Sequence, residues 1–213
     1  MTTVKQAQYL STNSYLTLNQ LGAATEIVWL VFHGMGYLSK YFIRYFDGLD
    51  PEKHFIIAPQ APSKYYQDKA YKHIGASWLT REDTPQETKN VLAYVDAVYH
   101  QEQVEGKKLI LMGYSQGVSI ATRWLAHSKK DCHGLILHSG GIPNELVPEQ
   151  FTFLPETCRV DYLYGESDPY INPDRLKLEV VKGQTLFGTR FGLHAFEGGH
   201  EVNKEYLTNS YKL

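Results

Sequence analysis

Five short apolar runs at wide spacing, residues 27–32, 55–58, 109–112, 135–137 and 160–164, constrain the fold of this chain more than any other feature. Each is apolar nearly throughout rather than at alternate positions, as in Ile27, Val28, Trp29, Leu30, Val31 and Phe32. That is how strands covered on both faces of a parallel sheet read. A last extended stretch, 193–196, closes the series. Helical patterns lie between the runs. Leu38, Tyr41, Phe42, Tyr45 and Phe46 fall on one helical face, and so do Val91, Leu92, Val95, Val98 and Tyr99. Ahead of the second set, Thr84, Pro85 and Glu87 read as the N-cap, the N1 proline and the N3 glutamate of a capping box. Asn172, Pro173 and Asp174 open a further helix in the same manner. Strands alternating with helices predict an α/β fold, with a mostly parallel central sheet and helices on both faces. Residues 8–19 alternate Tyr and Leu with Ser and Thr, which predicts a hairpin or edge strands. With no repeat, low-complexity tract or linker in 213 residues, one domain spanning 1–213 is expected.

Ligands of such sheets bind beyond the carboxyl ends of the strands, so the residues after each run matter most. After 109–112 come Gly113, Tyr114, Ser115, Gln116 and Gly117, followed by a helical pattern containing Val118, Ile120, Ala121, Trp124 and Leu125. Strand, G-x-S-x-G, helix is the setting in which this motif forms a nucleophile elbow. A serine hydroxyl needs a base within hydrogen-bond reach to act as a nucleophile. His200, on the Gly198, Gly199 loop, can supply it; His194, inside an extended stretch, and His138, which precedes the candidate acid, are its rivals. Asp168, after the run 160–164, can hold the imidazole tautomer, with Glu166 and Asp161 as alternatives. The backbone N–H of Gln116 and that of Met35, in the turn His33, Gly34, Met35, Gly36, are candidate oxyanion donors.

With those residues in view, the chain resembles the carboxylesterase/phospholipase family of α/β-hydrolases, which includes the acyl-protein thioesterases. The resemblance rests on residues 33–36, on Ala58, Pro59, Gln60, Ala61 and Pro62, on Trp78, on the elbow 113–117, on 165–168, and on Gly199 and His200. It implies an α/β-hydrolase fold and a Ser115, Asp168, His200 triad with oxyanion donors at Met35 and Gln116. It also implies no cofactor and hydrolysis of a small-molecule ester or thioester, an acyl thioesterase or lysophospholipase being the near alternatives. Gly34, Tyr37, Trp78 and Tyr170 are the substrate-binding candidates. The chain departs from the family pattern at Val118, where a second glycine is usual, at Tyr37, where an acid is frequent, and at Leu79 and Thr80, where Phe-Asp is usual.

Composition narrows the alternatives. Apolar residues make up 43% and charged ones 21%, as in ordinary globular proteins, and a formal charge of −2 offers nucleic acid no electrostatic footing. The N-terminus has no apolar signal region and no stretch is long enough to span a bilayer, so a cytoplasmic protein without stable membrane insertion is expected. Cys132 and Cys158 lack metal-ligand spacing and read as free thiols; none of the nine histidines sits in H-x-H or H-E-x-x-H, so no metal is expected. Residues 64–73, with three tyrosines, read either as a rim or lid over the cleft or as a solvated loop. A non-catalytic ligand-binding protein on the same fold is the alternative of a different class. Oligomeric state is not legible.

Overall fold

The computed structural model describes residues 1–211. Its frame is a seven-stranded sheet in the order β1-β3-β2-β6-β7-β8-β9. The strands are β1 (Tyr15–Leu18), β2 (Ile27–Phe32), β3 (His54–Pro59), β6 (Lys108–Tyr114), β7 (Gly134–His138), β8 (Arg159–Gly165) and β9 (Phe191–Phe196). The pair β4 (Ser63–Tyr66) and β5 (Ile74–Ser77) forms a separate antiparallel hairpin. All neighbours in the main sheet are parallel except β1, which runs antiparallel to β3 at the edge.

The near-continuous apolar runs follow from coverage on both faces. Strand β2 sends Val28, Leu30 and Phe32 into one core, which also holds Val91, Val95 and Trp124. Its other side sends Ile27, Trp29 and Val31 into a second core with Phe42, Phe46 and Leu207. The helices α2 (Thr84–Gln101), α3 (Gln116–Ser128) and α4 (Pro173–Phe187) therefore supply one layer, and α1 (Ser39–Phe42) and α5 (Lys204–Ser210) the other.

Three local expectations need correction. Only Tyr15–Leu18 of the segment 8–19 is a strand; it fills the open edge of β3, and Leu10 before it is fully exposed. Helix α1 is a single turn that tightens into a 3₁₀ turn over Ile43–Phe46. Shortening the period from 3.6 to 3 residues buries Phe42, Ile43 and Phe46 and leaves Tyr41 half exposed. The capping box at Thr84 does not form. The cap position falls on Asp83, in the left-handed region at φ 48°, and the Thr84 hydroxyl donates instead to Thr80 O at 2.7 Å. By contrast Asn172 caps α4 as expected, its side chain accepting from Arg175 N at 2.9 Å. Both cysteines are buried and free.

Candidate active site

At the carboxyl end of β6 the chain reverses sharply into α3, and Ser115 sits on the bend with φ 53° and ψ −116°. A non-glycine residue held there costs on the order of 1–3 kcal/mol, so its surroundings must enforce it. They do. Ser115 N donates to His138 O at the end of neighbouring β7, at 2.8 Å. Glycine is needed at both flanks. A β-carbon on Gly117 would lie 2.1 Å from Phe32 O, and one on Gly113 would lie 2.4 Å from the backbone of Gly117 and Val118. The flanking glycines thus let β2, β6 and α3 close to backbone contact around the serine.

His200 comes to this point from the loop after β9. Its Nε2 lies 3.0 Å from Ser115 Oγ and its Nδ1 lies 2.7 Å from Asp168 Oδ2. A carboxylate oxygen can only accept, so Nδ1 carries the proton and Nε2 is left to accept from the serine hydroxyl. The Asp168 side chain is fully shielded, His200 is one-fifth exposed, and the second Asp168 oxygen accepts from Tyr170 N at 2.8 Å. The Tyr170 ring stands edge-on to the imidazole, 4.8 Å between centroids, and is largely exposed.

The turn after β2 closes the opposite side. A β-carbon on Gly34 would lie 3.1 Å from Ser115 Cβ, which places this turn directly beside the serine. Gln116 N is the first N–H of α3 and has no acceptor within the helix; among the described residues Met35 N has none either. Beneath the turn lies a buried polar lattice. Ala61 N donates to His33 Nε2 at 3.1 Å, so His33 Nδ1 carries the proton that Gly34 O accepts at 2.8 Å. Burial lowers the His33 pKa to about 4 and keeps the ring neutral. Trp78 Nε1 donates to His33 O at 2.8 Å, and Gln60 Oε1 accepts from both Ser39 N and Ser39 Oγ at 3.0 Å.

The phospholipase/carboxylesterase family model matches residues 19–212. The chain belongs to that family. It is 22% identical over 182 residues to MhqD of Bacillus subtilis (strain 168), covering 84% of this chain and 88% of that one. Among solved structures it resembles acyl-protein thioesterase 2 of Zea mays, with a TM-score of 0.68 at 15% identity, covering 92% of this chain and 95% of that one. The carboxylesterase of Bacillus cereus is similar, with a TM-score of 0.67 at 16% identity and coverage of 93% and 91%. At such identities the likeness to these structures carries the fold: an α/β-hydrolase.

The structure thus brings Ser115, Asp168, His200, Met35, Gln116, Gly34 and Tyr170 to one place. Trp78 is a correction. It is wholly buried, packing 5.1 Å from the His33 ring and 5.6 Å from Phe32, so it braces the turn from within and offers no surface to a substrate. Tyr37 is partly buried, its ring edge-on to Tyr114 at 5.9 Å. The rival residues make other contacts or none: the Glu166 side chain is exposed, and Asp161, within β8, binds His194 of the edge strand β9 at 2.9 Å. His138 is fully buried with its pKa lowered to about 3, first by burial and then by His200.

Several supports escaped the sequence reading. The side chain of Gln116 accepts from Trp78 N at 2.8 Å and donates to Leu79 O at 2.7 Å, tying the elbow to the end of β5. Tyr114 donates its hydroxyl to His200 O at 2.7 Å. His138 Nε2 accepts from Asn203 N at 2.9 Å, fixing the chain just beyond His200. These contacts join residues up to 86 positions apart, and no motif in the sequence pairs them. Residues 64–73 form the outer part of the β4–β5 hairpin, whose turn is organised by Asp68 accepting from Ala70 N, Lys72 N and His73 N. Among the described residues no three His, Cys, Asp or Glu side chains are grouped to hold a metal ion, and no helix is long and apolar enough to cross a membrane.

Proposed function

We propose that the protein is a carboxylesterase acting as a single domain through an acyl-enzyme on Ser115. The observation that carries this reading is the pair of contacts at His200, 3.0 Å to Ser115 Oγ and 2.7 Å to Asp168 Oδ2, with unpaired backbone N–H groups at Met35 and Gln116 beside them. Ser115 Oγ attacks the ester carbonyl carbon while His200 Nε2 takes its proton. Negative charge gathers on the carbonyl oxygen, where the N–H groups of Met35 and Gln116 stabilise it without having to reorganise. His200 then protonates the departing alkoxide and the alcohol leaves. Water, deprotonated by His200, repeats the attack on the acyl-enzyme and releases the carboxylic acid. Asp168 holds the imidazole in the reactive tautomer and stabilises the imidazolium. Tyr170, over the imidazole, and Tyr37 and Gly34, at the turn, flank the entering ester.

The direct test is hydrolysis of p-nitrophenyl esters from acetate to decanoate by native protein and by Ser115→Ala. Turnover in the native protein that falls by roughly 10⁴-fold or more in the variant is the expected result. A variant that retained turnover would remove the serine from the mechanism. The chain-length optimum reports the depth of the acyl site.

A further inference from the structure

A groove of about 500 Å³ opens between α1 and the β4–β5 hairpin, and it abuts the last residue of the oxyanion turn. Gly36, two residues beyond the glycine that abuts Ser115, lines it. Gly36 N donates to Ala76 O at 2.8 Å, and Gln67 Nε2 donates to Gly36 O at 2.9 Å, so hairpin and turn are one rigid wall. Tyr37, Leu38, Tyr41 and Ile74 give the other walls an apolar surface, with the polar side chains of Gln67 and His73 on the hairpin side. Two ammonium groups stand at the rim, Lys40 from α1 and Lys72 from the hairpin.

The charge here is one-sided. Among the described residues no carboxylate lines the groove, and neither Lys40 nor Lys72 forms an ion pair. Asp68, the acid of the hairpin turn, already accepts three backbone N–H groups and the His73 side chain. Lys40 Nζ lies 4.9 Å from the Tyr41 ring centroid, a cation held over an aromatic face rather than by an anion. Low-dielectric walls with cations of one sign focus the potential and favour an anion at that spot.

We propose that this groove is a subsite for a carboxylate carried by the substrate, so that the preferred esters have an aryl or short alkyl part ending in an anionic group. This rests on the esterase reading above and specifies its substrate class. The apolar or aromatic part lies against Tyr37, Leu38 and Ile74, the carboxylate meets Lys40 and Lys72, and the ester carbonyl sits over Ser115.

Two matched pairs of esters test it. One places the charge on the leaving group, 4-acetoxybenzoate against 4-acetoxybenzamide. The other places it on the acyl side, mono-4-nitrophenyl glutarate against 4-nitrophenyl pentanoate. In one pair the charged member should show a KM roughly three- to tenfold lower at low ionic strength, a range suited to partly solvated cations. The advantage should fade with added salt as the screening length drops from about 10 Å at 0.1 M to about 3 Å at 1 M. It should disappear in a Lys40→Met, Lys72→Met double variant that handles the neutral esters as the native protein does. No advantage in either pair, or one that survives the double substitution, overturns the subsite. Calorimetric binding of 4-hydroxybenzoate against 4-hydroxybenzamide to Ser115→Ala reads the groove without turnover. Lysine-dependent binding in a protein that hydrolyses no ester would keep the subsite and overturn the esterase. Turnover of neutral esters without any charge preference would do the reverse.

Discussion

Two of the molecule's histidine–aspartate pairs lie on or just past the same two neighbouring strands and are almost equal in length, His200 with Asp168 at 2.7 Å and His194 with Asp161 at 2.9 Å, yet they are placed for different work. The acids lie on or just past the same strand, β8, and the histidines on or just past its neighbour, β9. Asp161 stands opposite Gly192 in the β8–β9 ladder, and His194, two positions further along β9, reaches back to it diagonally within the strands. There Asp161 also accepts from Arg159 Nη2 at 2.9 Å and from the Tyr211 hydroxyl at 3.3 Å, so a permanent cation already balances its charge. Asp168 and His200 lie beyond the strand ends, on turns. Among the described residues Asp168 meets no arginine, only a backbone N–H and the imidazole, and the far nitrogen of that imidazole reaches a serine. A His–Asp contact alone therefore says little. Position at the carboxyl edge of the sheet, and what the second ring nitrogen touches, separate a candidate proton relay from a cross-strand contact.

The sharpest way to break this comparison is to remove each histidine in turn. His200→Ala should lower kcat/KM by roughly 10⁴-fold or more, since the serine loses its base. His194→Ala should leave kcat/KM within about twofold. Its cost belongs to stability, about 1 kcal/mol for a lost contact to a charged, still partnered Asp161, or a few degrees in Tm. Loss of turnover in His194→Ala with retention in His200→Ala would exchange the roles of the two pairs.

A third setting for histidine sharpens the contrast: His33 and His138 are buried with no carboxylate partner among the described residues, and burial lowers their pKa values to about 4 and about 3. The unfolded chain takes up these protons near pH 6.5, whereas the folded chain refuses them until far lower pH. Protons therefore favour the unfolded state, and the stabilisation present above pH 6.5 is lost as pH falls toward the folded values. Each ring contributes about 1.4 kcal/mol per pH unit in that window. Urea midpoints should accordingly fall steadily from pH 6.5 to pH 5, and His138→Gln should be visibly less pH-dependent over that range. A variant with the native slope would show that His138 is not a source of the acid sensitivity.

How much of this was legible beforehand follows from the range of each interaction. The strands announce themselves because coverage on both faces forces apolar residues at successive positions, and β2 is read to the residue. Ser115 is marked by glycines that backbone contact requires, and a strand-end rule points to Asp168 and His200. The Trp78 reading failed because a tryptophan after a strand looks the same in sequence whether it faces a cleft or, as here, donates to His33 O inside the core. The Gln60 and His33 lattice joins positions 27 apart with no period to betray it. Lys40 and Lys72 become one feature only when the β4–β5 hairpin folds against α1, and that hairpin, polar and exposed on β4, carries no strand signal of the buried kind.

The smallest effect tests whether the loop under His200 is held as tightly as the comparison implies. Each histidine of the two pairs packs on a tyrosine: His200 on Tyr114 at 5.2 Å and His194 on Tyr206 at 5.3 Å. Only the first tyrosine grips the backbone of its histidine, through the 2.7 Å bond from its hydroxyl to His200 O. The Tyr206 hydroxyl instead accepts from Arg159 Nη2, at 3.4 Å. Tyr114→Phe keeps the ring stacked on Phe42 and leaves one carbonyl with a lost bond, worth about 1 kcal/mol. Loosening the loop should lower kcat up to about tenfold with KM nearly unchanged, because orientation of the base matters more in the transition state than in binding. Tyr206→Phe should leave kcat as it is. Equal effects from the two substitutions would mean that ring packing, and not the hydroxyl on His200 O, positions the imidazole.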